Sequence, residues 1–297
     1  MKIGFVGLGT MGQPMVKNLL KHFKIHAFDN TQKAIEDIQK NNEVNTLTLL
    51  DSITELKDID VLILMLPNGK IVRDCILGTH LTAGALNGLS KDAIVIDMSS
   101  SSPLDTINLD AELKKSGITL LDAPVSGSVQ KAQNGTLSIM VGGDPTAIEK
   151  VNPVLKAMGS VIIPTGKTGS AHGMKALNNY VYAAGLFAVS EALLMAKKMD
   201  LDLEKFTDIL NASSGRNVAS ETKIKQHMLQ NGDFKGGFGL HLMAKDLGIS
   251  HGLTEKLDFT PSLLNLCFHT WQEAIKNFPP DADNLEIYHH LQNKYTA

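Results

Sequence analysis

The sequence predicts a doubly wound α/β domain with a mostly parallel sheet over residues 1–165, followed by an all-α domain over residues 166–297. Three observations carry this reading. Near-continuous apolar β-runs alternate with helical patterns through the first 165 residues, as expected of a parallel sheet covered on both faces. After "SVIIPTGKTG" the β-runs almost vanish and helical periods follow one another. The length of 297 residues is long for a single hydrophobic core.

The elements read in order. "KIGFVG" is a strand, and "MGQPMVKNLLKHF" a helix with apolar residues at helical spacing. "KIHAFD" is a second strand, followed by the helix "TQKAIEDIQKN". Further strands are "VLILML" (61–66), "AIVIDMS" (93–99), "ITLLDAPV" (118–125) and "LSIMVGG" (137–143). In the second domain Asp200, Asp258 and "FPPDAD" (278–283) separate the helices. No internal repeat is visible.

Composition narrows the function. A net charge of -3 gives no electrostatic case for nucleic acid or an anionic membrane as partner. Two cysteines, Cys75 and Cys267, cannot make a disulfide framework and fit a reducing compartment. No apolar run reaches the roughly 20 residues of a membrane span. The N-terminus has a lysine followed by apolar residues, but it lacks an apolar block and a cleavage site. "NGT" at 134–136 is a sequon without meaning in a cytoplasmic protein. The expectation is a cytoplasmic protein with no membrane or nucleic-acid partner.

"GLGTMG" places Gly7, Leu8, Gly9, Thr10, Met11 and Gly12 in a G-x-G-x-x-G turn between a strand and a helix. The first glycine permits the turn, the second admits a pyrophosphate to the backbone, and the third lets helix and strand pack closely. The helix N-terminus then offers N–H groups and a positive dipole end. Asp29 closes the second strand, about 20 residues on, where an acid accepts from ribose hydroxyls. A carboxylate there repels a 2′-phosphate and no arginine stands beside it, so NAD is favoured; Lys33 softens that preference toward NADP.

A second signal lies in "AHGMKALNNYVYAAG" (171–185), an apolar helical stretch that carries Lys175, Asn178 and Asn179. Positions i, i+3 and i+4 share one helical face, so an ammonium and two amides meet on one stripe.

Together with these, "GFVGLGTMGQPM" (4–15), "DAPVSGS" (122–128), "GMKALNN" (173–179) and "AKDLGIS" (244–250) resemble the signatures of the β-hydroxyacid dehydrogenases, which include 3-hydroxyisobutyrate dehydrogenases and tartronate semialdehyde reductases. The segments occur in the family's order and span nearly the whole chain. The resemblance implies a Rossmann domain, then a helical domain that begins with one long interdomain helix. It implies a catalytic lysine at Lys175 with Asn179 as its partner and Asn178 as the adjacent substrate-side amide. Ser126, Gly127 and Ser128 fall on the loop that grips the substrate carboxylate. Leu66, Pro67 and Ile71 match cofactor contacts, and Ser100 takes the place of a threonine near the nicotinamide. Lys245 looks like the distal lysine that closes over the cofactor, with Asp246 its usual neighbour. A homodimer or homotetramer is implied by the resemblance alone. Ser128 departs from the family, where a glycine is usual, and this bears on the substrate's size or pose.

The chemistry is consistent with those residues. As hydride leaves an alcohol carbon, a proton must leave its oxygen, and a lysine whose pKa is lowered by burial can take it. Asn179, one turn on, would hold the ammonium through its amide oxygen. As an ammonium, Lys175 would stabilise negative charge on the carbonyl oxygen in the reductive direction. No metal is required, and no His/Cys/carboxylate cluster has ligand spacing. His289 and His290 are adjacent and read as surface residues. Competing accounts stand beside these. Ser100 could cap a helix, and Lys245 could form an exposed pair with Asp246. Arg216 is the nearest free cation of the helical half and could meet a second substrate group or stay solvated, and Phe238 and His241 are candidates for the substrate pocket. The expected function is interconversion of a short β-hydroxyacid and its semialdehyde or keto form. A semialdehyde, glyoxylate or imine reductase of the same fold and a non-catalytic dinucleotide-binding protein remain alternatives. Lys175 counts against the imine reductase, and the intact set Lys175, Asn179 and Lys245 counts against the scaffold.

Overall fold

A computed structural model describes residues 1–40 and 46–296. Asn41, the last residue expected in the second helix, lies outside them. Two compact units emerge, Met1–Lys175 and Ala176–Ala297.

The first unit is built on a nine-stranded sheet. Its strands are β1 (Ile3–Val6), β2 (Ile25–Phe28), β3 (Leu47–Leu49), β4 (Ile59–Leu64), β5 (Leu89–Asp97), β6 (Thr119–Asp122), β7 (Val125–Ser126), β8 (Leu137–Gly142) and β9 (Gly159–Gly166). They lie in the order β3-β2-β1-β4-β5-β6-β8-β7, with β9 also on β8. The run from β3 to β6 is parallel, while β6 and β7 pair antiparallel with β8. Helices α1 (Gly12–Leu19), α2 (Gln32–Lys40), α3 (Gly69–Leu77), α4 (Pro103–Lys114), α5 (Val129–Gln133) and α6 (Pro145–Met158) connect the strands.

Alternation along the apolar strands explains why both faces are covered. Val61 and Ile63 of β4 belong to one core, while Leu62 and Leu64 belong to the core on the other face. The strand order reverses between β1 and β4, which makes the carboxyl ends of these strands the switch point where such sheets take ligands. The expected single strand 118–125 is two short strands, because Pro124 lacks the N–H that a continuous ladder needs. β3 was not foreseen from the sequence.

Helix α7 (Ser170–Lys198) runs 29 residues and the division between the units falls inside it. The second unit continues with α8 (Leu203–Ala212), a π-helical segment (Ala219–Asn231), α9 (Leu240–Gly252), α10 (Thr254–Leu257), α11 (Ser262–Ala274) and α12 (Ile287–Thr296). Trp271, Leu247 and Leu193 are fully buried in its core.

Two expectations about α7 need correction. No apolar run is expected from sequence to reach the length of a membrane span, but α7 is long and apolar enough to cross one by length and composition, with 44% of its apolar window buried inside the protein. The apolar stretch around Lys175 is also not buried throughout, since Met174, Leu177 and Val181 are 51%, 53% and 66% exposed in the single chain.

Candidate active site

In the first unit the glycine turn follows β1. Gly7 has φ +104, and a Cβ there would stand 2.2 Å from the Met65 carbonyl oxygen beyond β4. A Cβ on Gly12 would stand 1.8 Å from the Gly7 carbonyl oxygen, whereas nothing lies within 4 Å of one on Gly9. The first and third glycines are thus demanded by packing, and the second faces open space where a ligand can approach the backbone. A cleft of about 440 Å³ opens here, lined among others by Gly9, Thr10, Lys17, Thr31 and Lys33. Open space over Gly9 beside the N-terminus of α1 fits the pyrophosphate of a dinucleotide.

Asp29 stands just beyond β2 and braces the turn. One carboxylate oxygen accepts the Leu8 N–H at 2.6 Å and the other the Thr31 N–H at 2.7 Å. A carboxylate has about four lone-pair sites, so this bracing leaves room for a ribose hydroxyl.

The neighbouring strand ends supply the other expected positions. Leu66 donates its N–H to the Ser99 Oγ at 2.9 Å, Pro67 and Ile71 are exposed, and Asn68 caps α3 by accepting the Ile71 N–H. Ser100 is half-buried on the loop after β5. The helix-cap account of Ser100 falls away, because α4 begins at Pro103 with Ser102 as its N-cap residue. Burial, with Asp97 adding its charge, pushes the Cys75 thiol up to about 12. Ser126 ends β7, Gly127 is exposed at φ +143, and exposed Ser128 is the N-cap residue of α5. Behind this loop the buried Asn18 of α1 donates its amide to the carbonyl oxygens of Pro14 at 3.0 Å and Ala132 at 2.7 Å, with Gln133 at 3.2 Å.

Asp97 and Asp122 are register partners at the ends of β5 and β6, and both are buried. Each carboxylate is satisfied. Asp97 accepts the Ser99 N–H at 2.9 Å and the Ser101 hydroxyl at 2.8 Å. Asp122 accepts the Gly169 N–H at 2.7 Å and the His172 N–H at 2.9 Å, capping the start of α7 from a distant strand. Lys175 follows in the next turn and is half-buried.

In the second unit, one turn beyond Lys175 on the same helix, Asn179 is buried. Its amide donates to Asp246 Oδ2 at 2.5 Å, and its oxygen accepts from the exposed Asn178 at 3.1 Å. An amide oxygen has two lone-pair sites, so the bond from Asn178 leaves one for an ammonium. Lys245 Nζ lies 3.1 Å from Asp246 Oδ1. The pair is not the exposed one considered from sequence, because Asp246 is 3% exposed and its charge is met by an ammonium and an amide. Ser250 of α9 donates to the Ala176 carbonyl at 2.8 Å and ties the two helices together. From sequence Asp246 is only a neighbour of Lys245, because 67 residues separate it from Asn179.

Other expectations change. Arg216 is no free cation, since it forks onto Glu221 at 2.8 and 3.3 Å. His290 is buried rather than at the surface, while His289 pairs with Glu286 and stacks on Phe234. Phe238 is half-buried with its N–H on Asp283. His241, also half-buried, has Nε2 without a hydrogen-bond partner among the described residues. Among them, no group of three or more His, Cys, Asp or Glu could hold a metal ion.

Known proteins match over nearly the full length. The family described as the NAD binding domain of 6-phosphogluconate dehydrogenase matches residues 2–166, and that described as NAD-binding of NADP-dependent 3-hydroxyisobutyrate dehydrogenase matches residues 169–291. The chain is 36% identical to the 2-(hydroxymethyl)glutarate dehydrogenase of Eubacterium barkeri, covering 84% of this chain and 81% of that protein. It is 36% identical to the mitochondrial 3-hydroxyisobutyrate dehydrogenase of Drosophila melanogaster, covering 96% and 88%. The solved 3-hydroxyisobutyrate dehydrogenase of Mycobacterium tuberculosis with L-serine superposes with TM-score 0.87 at 30% identity, covering 98% of each chain.

Proposed function

The chain belongs to the β-hydroxyacid dehydrogenase family and is an NAD(P)-dependent oxidoreductase acting on CH–OH donors; from that premise we propose that Lys175 is its general acid/base and that its substrate is a short acid bearing a β-hydroxyl or the matching aldehyde or ketone. The observation that carries the reading is the anchoring of α7. Its first turn is capped by Asp122 at the carboxyl end of β6, the end of the parallel sheet at which the glycine turn follows β1. Lys175 therefore emerges in the same unit and at the same sheet end as the dinucleotide turn, where such folds do their chemistry.

When bound, the nicotinamide takes the hydride in oxidation and supplies it in reduction. The Lys175 amine accepts the proton from the substrate hydroxyl as the carbon–oxygen double bond forms. In the reverse direction its ammonium stabilises the growing negative charge on oxygen and returns the proton. Ser126, Gly127 and Ser128 receive the substrate carboxylate, and Asn178 faces the substrate side. Asn179, held on buried Asp246, keeps this part of the helix in register with Lys245, the lysine that the family resemblance assigns to the cofactor. Leu8, Thr10, Met11, Leu66, Pro67, Ile71 and Ser100 contact the dinucleotide. NAD is preferred through Asp29, and NADP is admitted by Lys17 and Lys33 in the cleft.

Residues 166–297 serve substrate binding and oligomerisation. The exposed apolar stripe Met174, Leu177 and Val181, at helical spacing, supports a homodimer or homotetramer. A cytoplasmic location accords with two unpaired cysteines.

Lys175→Ala tests the assignment against a panel of short hydroxyacids and semialdehydes with both dinucleotides. Turnover should fall by at least about 10²-fold, as for other lost acid–base groups, with dinucleotide affinity nearly unchanged. Turnover close to that of the unaltered enzyme would refute it.

A further inference from the structure

His172 is 1% exposed and takes no part in the chemistry above. It sits in the first turn of α7, three residues before Lys175, and so one helical turn behind it. Its Nε2 lies 3.1 Å from the Ser99 carbonyl oxygen and 3.8 Å from Asp97 Oδ2. Its Nδ1 lies 2.7 Å from the Thr106 hydroxyl on α4. A carbonyl only accepts, so Nε2 carries a hydrogen toward Ser99; Nδ1 pairs with the Thr106 hydroxyl, whose single hydrogen is shared with the Ser102 carbonyl 3.0 Å away. Both ring nitrogens are then satisfied, and the backbone N–H of the same residue is spent on Asp122.

The partners of this imidazole are the elements that border the reaction. Ser99 opens the loop 99–101, its hydroxyl accepts the Leu66 N–H from the chain after β4, and its own N–H is held by Asp97. From the first turn of α7 the ring therefore meets the loop after β5 and the first turn of α4 directly, and the chain after β4 through Ser99. An apolar side chain could fill the same volume. It could not fix direction, because dispersion contacts are non-directional, whereas a fully satisfied buried polar network specifies one arrangement.

We propose that His172 is a positioning residue for the reaction: by joining the first turn of α7 to the Ser99–Ser101 loop, it sets the place of the Lys175 amine relative to the nicotinamide-side loop. This rests on the reading of Lys175 as acid/base. The ring touches no reacting atom; it acts through the helix that carries Lys175.

The test uses the full chain with His172→Leu, His172→Gln and His172→Asn. Thermal unfolding, NADH affinity from the fluorescence of the bound nicotinamide, kcat, KM and the primary deuterium isotope effect on kcat are measured. His172→Leu should bind NADH within about threefold of the unaltered enzyme yet lose about 10²-fold in kcat, the cost of a misplacement of about 1 Å. Its isotope effect should rise, because hydride transfer becomes the slow step. His172→Gln, whose amide can donate to the Ser99 carbonyl and accept from Thr106, should recover most of kcat, and the shorter Asn should not. A kcat within about threefold of the unaltered enzyme in all folded variants would overturn the proposal. So would losses that follow Tm with no change in the isotope effect, as a purely structural role requires. If His172→Leu fails to fold, equal kcat and isotope effect in the Gln and Asn variants overturn it. The Lys175→Ala control separates the two readings: a silent His172 series in an enzyme disabled by Lys175→Ala defeats only the positioning role.

Discussion

Alanine at Gly12 and alanine at Gly9 should separate what the glycine turn does for folding from what it does for binding. At Gly12 the new Cβ would stand 1.8 Å from the Gly7 carbonyl oxygen and 2.9 Å from its carbon, where ordinary contact begins at 3.4 Å. The clash is with backbone on one side and the Phe5 ring, at 3.3 Å, on the other. The start of α1 must retreat by about 1.5 Å in an interior that does not compress. Overpacking of this kind costs about 3 kcal/mol at the upper end of its range. For a domain of this size that lowers Tm by about 6–12 °C. At Gly9 nothing lies within 4 Å, so stability should stay within about 0.5 kcal/mol. The methyl group there occupies the approach of the pyrophosphate, and NADH affinity should fall by about tenfold or more. Urea or thermal unfolding gives the first quantity and titration by nicotinamide fluorescence the second. A Gly9→Ala protein that binds NADH like the unaltered one, or a Gly12→Ala protein with unchanged Tm, would show that the turn does not hold the dinucleotide or the helix as argued.

Two further outcomes follow from single side chains. Asp29→Ala removes both the barrier to a 2′-phosphate and the acceptor for the Leu8 and Thr31 N–H groups; affinity for both dinucleotides should drop while the kcat/KM ratio moves toward NADP by about tenfold, and an unmoved ratio would remove Asp29 from cofactor choice. Burial holds the His290 imidazole below its ordinary value of 6.5 despite Glu273 nearby, and His26 is lowered in the same sense by burial and then by Lys2. The unfolded chain therefore binds more protons than the folded one, so stability should fall as pH drops through that value and level off above it, with a slope of at most about 1.4 kcal/mol per pH unit for each proton. His290→Gln should flatten the fall in urea midpoints between pH about 8 and about 5; identical slopes would exclude His290 as a source.

The sequence made some of this architecture legible because the relevant physics is local. A strand buried on both faces reads as an apolar run, and the glycine turn reads from spacing alone, since its demands fall within six consecutive residues. Contacts between distant segments were not legible. Asn179 meets Asp246 across 67 residues and Asp122 caps α7 across 47 and 50, and no periodicity encodes either. His172 escaped notice for a related reason: a lone histidine in an apolar helix looks like filler until Ser99, Asp97 and Thr106 are seen around it. His290 misled in the opposite direction, because adjacency says nothing about burial brought by folding.

The amide of Asn18 has a practical consequence. It bolts α1, which begins at the glycine turn, to the short helix directly behind Ser126–Ser128. Anyone remodelling that loop to admit a bulkier acid will be leaning on the dinucleotide's own footing, and should expect changes aimed at one ligand to be felt by the other.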